Sequence, residues 1–245
     1  MEEKTRNRLI HIITNPISMD RCADAVLTLG AKPMMAEHPL EVQQITSTAS
    51  ALLLNLGNIT DIRMTSMKIS IKEANRIGIP VVIDAVGVAC SSLRRQFIDE
   101  LLKEGRALVI KGNYSEIMAL YDSSYSSSGV DAQEGLAEDL VKEAALKLAS
   151  DTNAFIVATG SRDLISDGKK VEEVTGGCSQ MALVTGTGCM LGAVIATYMA
   201  EDCSYESLVK ACSFFKECGA RAKTDKGNGT YMVNLLDNLG GQHEA

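Results

Sequence analysis

The sequence predicts an α/β fold with a central, mostly parallel sheet flanked by helices on both faces, and three observations carry that prediction. Four short apolar runs are unbroken instead of alternating, as strands covered on both sides must be. Helical patterns separate the runs, which is the alternation that builds parallel sheets through right-handed crossovers. Each run ends in a polar or charged residue with glycine close behind, at the strand ends where open α/β sheets bind ligands.

Taken in order, Cys22, Ala25, Val26 and Leu29 share one helix face ahead of the first run, Ala51-Leu52-Leu53-Leu54-Asn55. Met67, Ile71 and Ala74 do the same before the second, Pro80-Val81-Val82-Ile83-Asp84. The third run is Ala107-Leu108-Val109-Ile110-Lys111. Leu140, Ala144, Ala145 and Leu148 form the face before the fourth, Ala154-Phe155-Ile156-Val157-Ala158-Thr159. Residues 184–193 then pass from glycine-rich to Ala-rich and apolar, which reads as a turn running into a helix. No internal repeat is present, and the serine-rich patch at 123–129 is too short for a domain linker and reads as a flexible surface loop. With 245 residues, 46% of them hydrophobic, the chain reads as a single domain over 1–245.

Composition excludes several functions. A net charge of −7 without a Lys/Arg block argues against a nucleic-acid surface. No apolar run approaches the ~18 residues that span a bilayer. The opening Met-Glu-Glu-Lys-Thr-Arg-Asn-Arg lacks the apolar region of a secretory signal. Seven cysteines (Cys22, Cys90, Cys178, Cys189, Cys203, Cys212 and Cys218) are an odd number without a C-x-x-C pair, so neither a disulfide framework nor a zinc site is expected. A reducing cytoplasm is the expected compartment. Three histidines (His11, His38, His243) argue against a His-based metal site or a Ser-His-Asp triad.

The densest chemical signal is Gly186-Thr187-Gly188-Cys189 at the start of the last apolar helix. Several backbone N–H groups there face one point, backed by the positive end of the helix dipole, which suits an anion. Cys189 falls near the first turn, where the dipole lowers a thiol's pKa and a reacting hydroxyl meets a phosphate. A tight loop before a buried helix is the plain alternative. The strand-end residues Asp84, Lys111, Asn113, Glu116 and Thr159 are expected to converge on one cleft. Two carboxylates with an amide and a lysine suit Mg²⁺ held largely through water and phosphate oxygens, as in phosphoryl transfer. Ordinary helix capping is the competing reading of Asp84 and Glu116.

A resemblance rests on these residues together. Ile13-Thr14-Asn15, Gly30-Ala31-Lys32-Pro33-Met34-Met35-Ala36, Asn55-Leu56-Gly57, Asp84-Ala85-Val86-Gly87, Lys111-Gly112-Asn113-Tyr114-Ser115-Glu116-Ile117, Thr159-Gly160 and residues 184–191 follow one another in order. Over 13–237 the pattern resembles that of the hydroxyethylthiazole kinases, a branch of the ribokinase-like superfamily. The resemblance implies phosphorylation of 4-methyl-5-(2-hydroxyethyl)thiazole by ATP with Mg²⁺, a salvage step toward thiamine, in a cytoplasmic homotrimer with substrate sites at the subunit interfaces. It implies substrate contacts at Met35, Gly186 and Asn15, and ATP contacts at Lys111, Thr159 and Asn113. It further implies metal positions at Asp84 and Glu116 and catalytic positions at Thr187, Gly188 and Cys189, the last where most of the superfamily has an aspartate base.

The chain departs from the pattern in four places. Lys111 stands where the family commonly has arginine, which keeps the charge and loses the bidentate phosphate fork. Ala85 replaces a proline, Ala89-Cys90-Ser91 replaces Gly-Ala-Thr with Arg94 retained, and Asp20 and Asp24 replace asparagines. Three alternatives accompany the resemblance: another superfamily kinase of the hydroxymethylpyrimidine type, a nucleotide-dependent dehydratase of the same fold, and a catalytically silent nucleotide-binding protein.

Overall fold

The computed structural model describes residues 7–125 and 138–241. Eight strands form one sheet: β1 (Leu9–Ile13), β2 (Lys32–Met34), β3 (Ala51–Asn55), β4 (Val81–Asp84), β5 (Val109–Asn113), β6 (Phe155–Thr159), β7 (Asp163–Ser166) and β8 (Val171–Val174). Their spatial order is β2-β1-β3-β4-β5-β6-β7-β8. Every pairing from β2 to β6 is parallel, and only the β6–β7 and β7–β8 pairings are antiparallel. The four apolar runs are the four central strands, β3 to β6, as their unbroken character requires. The outer strands carry weaker signals, because His11 interrupts β1, β2 has three residues, and β8 reads Val-Glu-Glu-Val.

The helices are α1 (Met19–Thr28), α2 (Val42–Thr48), α3 (Asp61–Ile77), α4 (Ser92–Glu104), α5 (Tyr114–Tyr121), α6 (Glu138–Thr152), α7 (Thr187–Met199), α8 (Tyr205–Arg221) and α9 (Asn228–Gly240). They divide between the two faces of the sheet. Ile10, Ile12, Leu53, Val82, Val109, Val157 and Ile165 join a core with α1, α7, α8 and α9. Their strand neighbours Ile13, Leu52, Leu54, Val81, Ile83, Ile110, Ile156 and Leu164 join a second core with α2 to α6. This split follows from the period-two alternation of a strand. Fully burying a Leu or Ile contributes about 1.5–3 kcal/mol, so the fully buried Leu52, Leu53 and Leu54 pin β3 between both layers.

One predicted helix face is shifted. In α6 the buried stripe is Val141, Ala144, Ala145 and Ala149, with Leu148 half-buried and Leu140 exposed. One residue turns a helix by about 100°, and Leu140 precedes the stripe by that step. Local signals set other helix ends: the Thr60 hydroxyl accepts the Arg63 N–H at 3.2 Å to start α3, and Gly78, at φ +77°, ends it. Of the serine-rich patch, Ser124 is tied down by its N–H and hydroxyl on the Asp122 carboxylate, at 2.8 and 2.7 Å. Residues 126–129 of that patch, the first six residues and His243 lie outside the described residues. No helix among the described residues is long and apolar enough to cross a membrane.

Candidate active site

Strand register assembles the site. Asn55 pairs with Asp84 across β3–β4, and Asp84 with Lys111 across β4–β5. Two residues earlier on these strands stand Leu53, Val82 and Val109, all in the core beneath α7. Alternation therefore turns the three polar side chains to the α7 face, side by side. Asn113 and Thr159, themselves in register across β5–β6, lie two residues further along.

The row is wired into one hydrogen-bond network. The Lys111 ammonium donates to Asp84 Oδ1 at 2.9 Å, and the Asn55 amide donates to Asp84 Oδ2 at 2.8 Å. Asn55 Oδ1 in turn accepts from Asn15 Nδ2 at 3.1 Å and from the Gly57 N–H at 2.9 Å. The same Asn15 Nδ2 points to Cys189 Sγ at 3.6 Å, while Asn15 Oδ1 accepts the N–H groups of Ile17 and Ser18. Asn113 and Glu116 form a capping box that starts α5, with Asn113 Oδ1 accepting the Glu116 N–H at 2.8 Å. Glu116 accepts the Asn113 N–H on Oε2 and the Gly87 N–H on Oε1, both at 2.7 Å. That second bond ties the α5 cap to the loop after β4.

Helix α7 closes the row from above. Gly186 sits at φ +94°, a left-handed conformation that favours glycine, and its carbonyl accepts the first intrahelical bond from Met190 at 2.9 Å. The N–H groups of Thr187, Gly188 and Cys189 precede that bond and point out of the helix end. A Cβ on Gly188 would lie 3.9 Å from the Lys111 ammonium, and one on Gly192 would lie 3.4 Å from Leu53 and 3.6 Å from Asp84 Oδ2. Small residues let α7 settle onto the strands and bring Cys189 to the polar row. The Thr187 hydroxyl turns away, onto the carbonyls of Met181 and Val184 at 3.0 and 3.2 Å, and fixes the loop.

Burial governs the ionisation of this site. Desolvation pushes the Asp84 carboxyl up, against the contacts with Lys111 and Asn55. It also opposes the charge on Lys111, where Asp84 outweighs it and holds the ammonium above the usual lysine range. Burial, then the charge of Asp84, pushes Glu116 up to about 7 against the N–H donors of Gly87 and Asn113. The thiol of Cys189 corrects the sequence expectation: burial first and Asp84 next hold it above the usual cysteine range, so its place in the first turn does not make it acidic.

The structure brings together Asn15, Asp84, Lys111, Asn113, Glu116, Gly188 and Cys189, with Gly186 and Thr187 shaping the loop. Thr159 donates to the Gly112 carbonyl at 3.3 Å on the β6 side. Met35 follows the edge strand β2, half-buried against the α7-side core. Lys111 is only 3% exposed, and its ammonium lies on Asp84 rather than in an open cleft. Sequence reading missed Asn55 as the hub, although its place at the end of an apolar strand was the available signal. It also missed a buried ion pair beyond β6, Lys216 to Asp163 at 3.0 Å, where Lys216 further donates to the Gly160 carbonyl at 2.9 Å. The altered segment at Ala89-Cys90-Ser91 keeps its local function: Ser91 caps α4, and Arg94 donates to the Val86 carbonyl at 3.2 Å beside Gly87.

Comparison with known proteins matches this arrangement to one family. The chain is 42% identical over 243 residues to hydroxyethylthiazole kinase 2 of Clostridium botulinum strain Hall, covering 96% of this chain and 91% of that protein. It is 37% identical to hydroxyethylthiazole kinase of Clostridium perfringens, over 96% of this chain and 92% of the relative. The solved hydroxyethylthiazole kinase protein of Pyrococcus horikoshii OT3 superposes with a TM-score of 0.88 at 31% identity, covering 98% of this chain and 91% of that one. A Staphylococcus aureus pyridoxal kinase, solved with AMP-PCP and pyridoxal, shares the ribokinase-like fold at a TM-score of 0.68 and 16% identity, over 91% of each chain. The hydroxyethylthiazole kinase family itself matches residues 2–243, and the chain belongs to that family.

Proposed function

We propose that this chain transfers the γ-phosphoryl group of ATP to the side-chain hydroxyl of 4-methyl-5-(2-hydroxyethyl)thiazole. The observation that carries the reading is the closeness of the start of α7, at Gly188, to the buried Asp84–Lys111 pair, with the Cys189 thiol beside it. Phosphoryl transfer passes through a loose transition state, so positioning and charge neutralisation dominate. The amides of Thr187, Gly188 and Cys189 face the transferring phosphate oxygens, and Lys111 adds positive charge from the strand side. Cys189 lies where the attacking hydroxyl enters, and its protonated thiol leaves the anion hole free of a competing charge. Thr159 and Asn113 line the nucleotide side; Met35, Asn15 and Gly186 line the alcohol side.

The donor chemistry fits Mg²⁺. Glu116 and Asp84 offer hard oxygens, close enough that the charge of Asp84 helps raise Glu116. Two carboxylates are too few to enclose the ion, so water and phosphate oxygens would complete its coordination. When bound, Mg²⁺ neutralises developing phosphate charge; Glu116 and Asp84 would hold it. The reading extends to one domain over the whole chain, a homotrimer with sites at the subunit interfaces, and a cytoplasmic location.

A coupled ADP-release assay with the thiazole alcohol and a panel of other heteroaromatic alcohols tests this. The expected result is metal-dependent turnover highest on the thiazole. Turnover of a hydroxymethylpyrimidine in its place, or ATP binding without any turnover, overturns it.

A further inference from the structure

We propose that His11 is a positioning residue for the alcohol side of the site, acting through the backbone that carries Met35. The edge strand β2 has three residues and pairs only with β1, so the chain leaving it has no ladder to hold it. Three side chains substitute for that ladder. His11 Nε2 meets the Ala36 carbonyl at 2.9 Å, Ser66 Oγ donates to the Glu37 carbonyl at 2.7 Å, and Arg63 Nε donates to Glu37 Oε2 at 2.6 Å. Only the His11 bond falls on the residue next to Met35. Its ring is fully buried between Ile10 and Ile12 in sequence, yet turned to the opposite face of β1, where it meets Thr46 of α2. Met35 packs on the α7-side core, so the backbone crosses the sheet edge between the Met35 side chain and the Ala36 tether.

Hydrogen counting fixes the tautomer. The Ala36 carbonyl accepts only, so Nε2 carries a proton. Desolvation keeps the ring neutral, against the Ala36 bond and the charge of Glu41, which leaves Nδ1 bare. Thr46 Oγ1, 2.9 Å from Nδ1, then donates to it. Protonation of Nδ1 would turn the Thr46 hydroxyl onto the Val42 carbonyl, 2.7 Å away, and leave the Ala36 bond unchanged. The tether therefore survives in either charge state.

This proposal rests on Met35 lining the thiazole, and the test separates the two. Gln at position 11 extends its amide to the place of Nε2, whereas Asn reaches only that of Nδ1. His11→Gln should keep the KM for the thiazole alcohol within about threefold, and His11→Asn should raise it about tenfold or more, as loss of one buried hydrogen bond implies. KM for ATP and kcat should stay within about twofold in both. Equal losses in every parameter, or an unchanged alcohol KM in folded His11→Asn, overturn the proposal. Met35→Ala with an unchanged alcohol KM removes the Met35 reading and the proposal with it; a raised KM there beside a silent His11→Asn removes the proposal alone. Nitrogen NMR of the wild-type ring should show a proton on Nε2, and a neutral ring protonated on Nδ1 alone overturns the proposal even if no variant folds.

Discussion

Asp84 and Lys111 form an ion pair at 2.9 Å with side chains 0% and 4% exposed, so these two charges beneath the start of α7 are sealed from water and depend on one another. Removing one partner of such a pair leaves an uncompensated buried charge, at a cost of about 3–5 kcal/mol. Asp84→Asn should therefore lose stability as well as turnover. Adding Lys111→Met to Asp84→Asn should recover most of the stability and none of the activity. Denaturant midpoints and ADP release on the two variants check this, and equal midpoints for wild type and Asp84→Asn would contradict the pairing.

Glu116 links stability to pH. Its folded pKa of about 7 lies above the ordinary 4.5, so the folded chain holds this proton more tightly than the unfolded one. Stabilisation from the protonated form is complete below about 4.5 and lost as pH rises through about 7, a few kcal/mol at ~1.4 kcal/mol per pKa unit. Glu116→Gln cannot titrate, although its amide accepts only one of the two N–H groups that Glu116 now accepts. The metal-free wild type should lose more melting temperature between pH 5 and pH 8 than Glu116→Gln does. Parallel pH profiles would exclude the shift.

The central sheet was legible because β3 to β6 are apolar without interruption, a pattern that few other structures use. The strand-end rule then located Asp84, Lys111, Asn113 and Thr159. What a linear reading could not supply was register. Asn55, Asp84 and Lys111 are neighbours only because β3, β4 and β5 align at those residues, so the pairing of Lys111 with Asp84 was not visible in the sequence. The acidity of Cys189 failed similarly, since helix position is visible in sequence but burial beside Asp84 is not. Strands β7 and β8 escaped because short, charged hairpins at a sheet edge carry little hydrophobic signal.

Gly57 tests the Asn15–Asn55 strut without touching either asparagine. A Cβ at Gly57 would lie 2.8 Å from Asn15 Nδ2 and 2.8 Å from Asn55 Oδ1, squarely on their hydrogen bond. Gly57→Ala should cost about 1–3 kcal/mol of stability, the usual penalty of overpacking. It should lower kcat while leaving the KM for ATP nearly unchanged, because Thr159 and Asn113 lie on other strands. A variant with wild-type kcat would show that the strut has no part in catalysis.

Cys189 invites assignment as a nucleophile, and its surroundings argue otherwise. Burial and Asp84 keep the thiol protonated, and a thiolate there would repel the phosphate proposed to lie at the α7 amides. Asn15 Nδ2, 3.6 Å from the sulfur, is placed to hold the thiol in position. A protonated thiol cannot take the hydroxyl's proton, so Cys189 acts by orienting the hydroxyl, and Cys189→Ala should lose roughly 10- to 10³-fold in kcat and not all activity. Cys189→Asp should remain active, since Asn15 and Lys111 can serve a carboxylate there much as Asn55 and Lys111 serve Asp84. Steady-state kinetics of the two variants, with intact-mass measurement during turnover, decide the matter. A phosphocysteine adduct would show that sulfur attacks phosphorus directly, and a folded but inactive Cys189→Asp would show that the site needs sulfur at this position.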